Sequence, residues 1–126
     1  MKKKLKILVV DDEKDLCELV RLILKEQNFL IECASNLKDG KEKWLDQLPI
    51  VVILDQNLPD GLGLEMIENN PELLKNTKVI MITADTQPET ITRATAVGID
   101  YFIQKPFSLK LIRELVQEII SVHDDV

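Results

Sequence analysis

Five short apolar runs, each too brief for a helix and each followed by a segment of helical period, constrain this chain more than anything else in it. They are Lys6–Val10, Phe29–Ala34, Ile50–Leu54, Lys78–Ile82 and Tyr101–Ile103. Near-continuous leucine and β-branched runs of this kind form strands buried on both faces, the habit of parallel sheets. Between them, apolar residues recur at spacings of three and four. From Glu13 to Gln27, behind Asp12 as the expected cap and closed by Asn28, the residues Leu16, Leu19, Val20, Ile23 and Leu24 share one face. A second helix is expected from a Ser35 or Asn36 cap to Asp46, burying Leu37, Trp44 and Leu45, and Pro49 ends that unit. A third spans about Leu62 to Asn69. A fourth runs from Gln87 to Val97, with Thr86 as cap, Pro88 in the first turn and Gly98 as terminator. The last covers Phe107 to Val122, with Leu109, Ile112, Leu115, Val116 and Ile119 as its stripe. A βα repeat with right-handed crossovers gives one α/β fold, a three-layer α/β/α sandwich around a five-stranded parallel sheet.

The 126 residues make a single domain, and only Met1–Lys4 and His123–Val126 are expected to be loose. With 45% hydrophobic and 30% charged residues the chain has enough apolar surface for a core and enough charge for water. Its longest apolar run, Leu48–Leu54 with Pro49 inside it, is far below the ~20 residues of a membrane helix. The start Lys2–Lys6 has the charge of a secretion signal, but the apolar stretch after it is only Ile7–Val10 before Asp11 and Asp12 interrupt, so no such signal is read there. Cys17 and Cys33 sit in apolar stretches and are expected to be two buried thiols, in keeping with a reducing cytoplasm. A net charge of −6 opposes nucleic-acid and anionic-lipid partners, and Lys2, Lys3, Lys4 and Lys6 read as a solvated lead-in.

Ligands of open parallel sheets bind outside the carboxyl ends of the strands, where strand order reverses. There the first run ends in Asp11 and Asp12, the third in Asp55, the fourth in Thr83 and Ala84, and the fifth leads into Lys105–Pro106. Three converging carboxylates raise one another's pKa unless a cation lies between them. A hard divalent ion such as Mg²⁺, with its preference for oxygen ligands, answers that demand. A lysine and a hydroxyl at the same edge add donors for phosphoryl oxygens. Singly, each residue would pass for a helix cap or a solvated charge; as a set they describe a phosphoryl site. Other α/β chemistries lack their signatures: there is no Gly-x-Gly-x-x-Gly, no Walker loop and no Gly-x-Ser-x-Gly, and the sole histidine is His123. A haloacid-dehalogenase-like phosphatase also uses a strand-end aspartate, but would place a second acid where this chain has Asn57.

Four segments then carry a resemblance: Ile-Leu-Val-Val-Asp-Asp-Glu (7–13), Leu-Asp-Gln-Asn-Leu-Pro-Asp-Gly-Leu-Gly-Leu-Glu (54–65), Val-Ile-Met-Ile-Thr-Ala (79–84) and Gly-Ile-Asp-Tyr-Phe-Ile-Gln-Lys-Pro-Phe (98–107). In this order and spacing the chain resembles the receiver domain of two-component response regulators over nearly its whole length. The resemblance implies a flavodoxin-like sheet in the order 2-1-3-4-5, with Asp55 as phosphoacceptor and Asp12 as a direct ligand of Mg²⁺ or Mn²⁺. It also implies Asp11 acting largely through metal-bound water, the Asn57 carbonyl as a further ligand, Lys105 on the phosphoryl oxygens, and a cis Lys105–Pro106 bond. Thr83 would bind the phosphoryl group, with small Ala84 leaving room, and the switch aromatic would be Phe102, where many members carry tyrosine. Tyr101 points to the opposite face by strand alternation. A protein of this kind is a switch rather than an enzyme, catalysing only its own phosphotransfer and autodephosphorylation. A sensor histidine kinase or histidine phosphotransfer protein would load it, docking at helix one near Leu16, Cys17 and Val20. A downstream protein target or fused effector domain would read the face of helix four, strand five and helix five. The chain itself would act in the cytoplasm, touch neither nucleic acid nor membrane, and be a monomer or a phosphorylation-dependent dimer. A receiver-like fold working without phosphorylation is the remaining alternative.

Overall fold

Parallel pairing on both sides places Val51–Asp55, all five residues of it buried, at the centre of the molecule. The computed structural model of the chain describes residues 4–84 and 87–124. Its main sheet consists of β1 (Leu5–Val10), β2 (Phe29–Ala34), β3 (Val51–Asp55), β4 (Lys78–Thr83) and β5 (Tyr101–Gln104), in the order β2-β1-β3-β4-β5. The helices are α1 (Lys14–Ile23), α2 (Leu37–Gln47), α3 (Gly63–Asn69), α4 (Pro88–Val97) and α5 (Leu109–Asp124), with a 3₁₀ turn at Pro71–Leu74. A two-residue antiparallel ribbon joins Asn57–Leu58 to Gly61–Leu62 within the loop that follows β3.

The all-apolar character of the strands follows from two cores. Leu8, Val10, Val52, Leu54, Val79 and Met81 face one way, against Trp44, Leu64, Ile67 and Ala94 of α2, α3 and α4. Their neighbours Ile7, Val9, Val51, Ile53, Ile80 and Ile82 face the other way, against Leu16, Val20, Ile112, Val116 and Ile119 of α1 and α5. Each such side chain contributes ~1.5–3 kcal/mol when fully buried, so neither face tolerates a register slip. The indole N–H of Trp44 is satisfied by Thr77 Oγ1 at 3.2 Å, which in turn donates to the Pro49 carbonyl at 2.6 Å. Among the described residues no helix is long and apolar enough to cross a membrane.

Several local expectations are corrected. α1 stops at Ile23, short of Gln27, because its last turn tightens: Lys25 N–H donates to the Leu22 carbonyl at 3.4 Å and Gln27 N–H to Leu24 at 3.0 Å. Asp12 does not cap it; Glu13 holds the capping place, and its own N–H donates to Asp11 Oδ1 at 2.7 Å. Leu19 and Leu45 are 38% and 54% exposed rather than inside. Cys17 takes the inward position expected of Leu19. Leu16, Cys17 and Val20 are buried against the sheet and cannot form a docking face; the exposed apolar residues of α1 are Leu19 and Leu22. α2 is capped by Asn36, whose side chain accepts from Asp39 N–H at 2.8 Å. Gly98 terminates α4 at φ 111°, as expected, and the expected cap Thr86 lies outside the described residues. α5 starts at Leu109 and runs on to Asp124, so only residues 1–3 and 125–126 of the ends expected to be loose lie outside the described backbone. Most notably, Cys17 and Cys33, expected as separate thiols, are joined in a disulfide across a Cα separation of 6.1 Å.

Leu48 closes α2 in the left-handed region, at φ 51° and ψ 59°, its N–H donating to the Trp44 carbonyl. A leucine there bears the steric clash of its Cβ, yet it is 76% exposed and packs little in return. Leu48→Gly is therefore expected to stabilise the chain by about 0.5–1 kcal/mol, a rise of roughly 2–4 °C in thermal melting.

Candidate functional site

The carboxyl ends of β1, β3, β4 and β5 meet at one edge of the sheet, and each delivers a polar group there. β1 runs straight into Asp11, which is 7% exposed and anchored by its N–H to the Ala34 carbonyl of β2 at 3.0 Å. β3 ends in Asp55, 2% exposed. Ligand oxygens of Asp11, Asp12 and Asp55 all lie within 4.8 Å of one another, with Asp12 on the solvent side. Lys105, just past the end of β5, reaches back so that its Nζ is 3.1 Å from Asp55 Oδ2. The other oxygen, Oδ1, accepts from Asn57 N–H at 3.2 Å. Asp55 is thus held at both oxygens, and the peptide after Lys105 is cis to Pro106.

Electrostatics follow from crowding. Burial, with the negative charge of Asp55 beside it, pushes the Asp11 carboxyl up to about 6, against the lowering effect of its hydrogen bond from Glu13 N–H and of Lys105. Burial also works against the Lys105 ammonium, but its hydrogen bond to Asp55 and the charges of Asp55 and Asp11 outweigh this and hold it above the usual lysine range. Three carboxylates face one ammonium, which leaves the cluster short of positive charge. An all-oxygen donor set with that deficit fits a hard divalent cation such as Mg²⁺.

Thr83 is 3% exposed, and its carbonyl accepts from Lys105 N–H at 3.0 Å, so the threonine and lysine positions are tied through the backbone. Asp55 pairs in register with Ile82, which sets Thr83 one residue beyond the acid on the adjacent strand. Ala84 and Asn57 are exposed. Phe102 is half-buried and packs on the core beneath α2, α3 and α4, whereas Tyr101 packs on the α1 and α5 side, the opposite faces that alternation requires.

Three residues that hold this geometry were not singled out from the sequence. Gln56 is buried: its N–H donates to the Ile82 carbonyl at 2.9 Å, its carbonyl accepts from Gly63 N–H at 2.8 Å, and its Oε1 caps Leu64 N–H at 2.7 Å. Gly63 packs so closely that a Cβ there would lie 2.9 Å from the Asp55 carbonyl. Asp60 reaches from the same loop to the start of α2, accepting from Leu37 N–H at 2.7 Å and Lys38 N–H at 3.0 Å, and those bonds lower its pKa. An acid beside a glycine turn signals a cap, but not which helix it caps.

A family model described as the response regulator receiver domain matches residues 7–117. The chain is 30% identical over 130 residues to chemotaxis protein CheY-3 of Vibrio cholerae, covering 96% of this chain and 95% of that protein. It is 34% identical over 111 residues to the response regulator protein PilR of Pseudomonas aeruginosa, covering 88% of this chain but 25% of the relative. The chain therefore spans nearly all of one relative and a quarter of the other. Among solved structures, chemotaxis response regulator CheY4 of Vibrio cholerae superimposes with a TM-score of 0.80 at 26% identity, over 93% of this chain and 99% of that one. A CheY-like receiver domain from Methanospirillum hungatei shares the fold with a TM-score of 0.84 at 24% identity, over 98% and 100% of the two chains.

The raised pKa of Asp11 has a signed consequence. Its folded value, about 6, exceeds its usual 3.8, so the folded state holds the proton more tightly. Stability is then lost as pH rises from about 4 to about 6 and is not regained above it. Asp11→Asn keeps an oxygen for Glu13 N–H and removes the charge. In chelator-treated buffer it should melt above the parent at pH 7, with the gap closing toward pH 4; a gap independent of pH would refute the assignment.

Proposed function

The chain belongs to the response regulator receiver domain family, and from that premise we propose that residues 1–126 form a single receiver domain that takes a phosphoryl group on Asp55. As a family, such domains are signalling switches of two-component systems rather than classical enzymes. The observation that carries the reading for this chain is the contact of Lys105 Nζ with Asp55 Oδ2, inside a cluster that also holds Asp11 and Asp12.

An oxygen of the Asp55 carboxylate attacks the phosphorus of a phosphohistidine in line with the P–N bond; the O–P bond forms as the P–N bond breaks, and the imidazole stays with the partner. Lys105 neutralises the phosphoryl oxygens, and the Asn57 N–H steadies the carboxylate, so positioning and charge do nearly all the work. Asp12, Asp55 and the Asn57 carbonyl would hold Mg²⁺ or Mn²⁺ directly and Asp11 through water, and the bound ion would supply positive charge for the transferring group. In the domain's own autodephosphorylation a water would attack the phosphorus as the Asp55 O–P bond breaks, releasing inorganic phosphate and restoring the carboxylate.

The added charge of about −1.5 to −2 is answered by local donors, and the hydroxyl of Thr83 is drawn to it past small Ala84. Through the bond of the Thr83 carbonyl to Lys105 N–H, that movement biases β5, with Phe102 turning further into the core. Output then lies on the face of α4, β5 and α5. A histidine kinase or histidine phosphotransfer protein of the cytoplasm is the donor, approaching over the loop after Asp55 and the exposed side of α1. A protein target or a fused effector domain reads the state, through a monomer or a phosphorylation-dependent dimer, with no direct contact to nucleic acid or membrane. The phosphatase alternative finds no support, since Asn57 offers no acid beside Asp55.

Intact-mass measurement after acetyl phosphate and Mg²⁺ should give one added phosphoryl group, absent in Asp55→Asn; a protein that takes no label is a receiver-like fold working without phosphorylation. In melting curves, the Mg²⁺-dependent rise should disappear in Asp12→Ala, while Asn57→Ala, which keeps its carbonyl, should retain it. A full shift in Asp12→Ala would remove that residue from the ligand set.

A further inference from the structure

Beyond the phosphoryl reading, Cys17 and Cys33 stand together at a place that reading does not use. Cys17 lies on the inward face of α1 and is 6% exposed; Cys33 is half-buried on β2, an edge strand of the sheet. Their Cα atoms are 6.1 Å apart, a separation that a disulfide spans without backbone movement. Both line an open cavity of about 520 Å³ whose wall also includes Asp11 of the acid cluster.

We propose that Cys17 and Cys33 are a reversible dithiol–disulfide site, oxidised by low-molecular-weight disulfides and reduced by low-molecular-weight thiols. Two facts set it apart from a structural staple. The fold has complete apolar cores on both sides of its sheet and so does not need a cross-link to persist, unlike small scaffolds that do. The pair also opens into a cavity that solvent reaches, and access is what exchange requires. The ammonium of Lys43 bonds the Cys33 carbonyl, which places a cation on the same wall. Because the cavity wall also carries Glu18 and Glu32, accessibility more than charge makes Cys33 the entry point.

The chemistry balances. The Cys33 thiolate attacks one sulfur of the small disulfide, forming a mixed disulfide and releasing one small thiolate. The Cys17 thiolate then attacks the Cys33 sulfur, closing the protein disulfide and releasing the second. Two protein thiols lose two electrons and two protons, and one small disulfide gains them as two thiols. The closed bond pins α1 to β2 beside Ala34, whose carbonyl holds Asp11 N–H, so the modification borders the acid cluster without including it.

The test uses the full chain, reduced and then equilibrated with glutathione and glutathione disulfide at graded ratios, acid-quenched, alkylated and weighed intact. Two species should interconvert: a doubly alkylated dithiol, and an unalkylated form two hydrogen masses lighter that returns to dithiol with added thiol. The oxidised form should also melt several degrees higher. Cys17→Ser should accumulate the glutathione adduct at Cys33, and Cys33→Ser should react far more slowly. Full double alkylation at every ratio would overturn the proposal, as would a disulfide that native reduction never opens, or a wild-type mixed disulfide that never resolves. None of these readouts depends on phosphorylation, so failure here leaves the Asp55 assignment intact.

Discussion

Carboxylate repulsion at one edge of a parallel sheet organises this molecule. Asp11 and Asp55 are both buried, and Asp12 stands beside them at the surface, with Lys105 as the cation that reaches in. Burial and mutual charge raise Asp11, and the same acids hold the proton on Lys105. A site crowded in this way favours positive charge, and under the proposed function the stability lost to repulsion would be recovered when a cation binds. The loss is bearable because the two apolar layers beneath the acids are complete.

Holding like charges together demands a rigid frame, and the backbone supplies it from several directions. Asp11 is tied to β2 through Ala34, Gln56 to β4 through Ile82, and Lys105 to β4 through Thr83. The loop after Asp55 is fastened at both ends, by Gln56 to the start of α3 and by Asp60 to the start of α2. Gly63 permits this because its missing Cβ lets α3 approach the Asp55 carbonyl. The connection of Thr83 to Lys105 differs in kind: one backbone hydrogen bond, from Lys105 N–H to the Thr83 carbonyl, couples the residue of the proposed phosphate-sensing hydroxyl to that of the neutralising cation.

Much of this was legible in the residues. The five apolar runs became the five strands within two residues at each end, and their order at the strand ends brought Asp11, Asp12, Asp55 and Lys105 together as expected. Periodicity failed where it had to choose between similar candidates. Leu19 and Cys17 both fit the inward stripe of α1, and packing against β2 selected the cysteine. Leu45 fits the stripe of α2, yet that helix meets the sheet through Trp44 and Gly40, the latter so close to Val10 that a Cβ would touch it.

The sequence by itself determined the α/β class and the sheet edge at which the acids and Lys105 gather, because burial on both faces and turn chemistry are written in local composition. Tertiary structure alone decided which partners the polar and sulfur atoms found: Asp60 with α2 across 23 residues, Gln56 with Leu64, Cys17 with Cys33 across 16. Those choices depend on where separate elements come to rest, to within an ångström. A hydrogen bond or disulfide needs that closeness, and no local pattern encodes it.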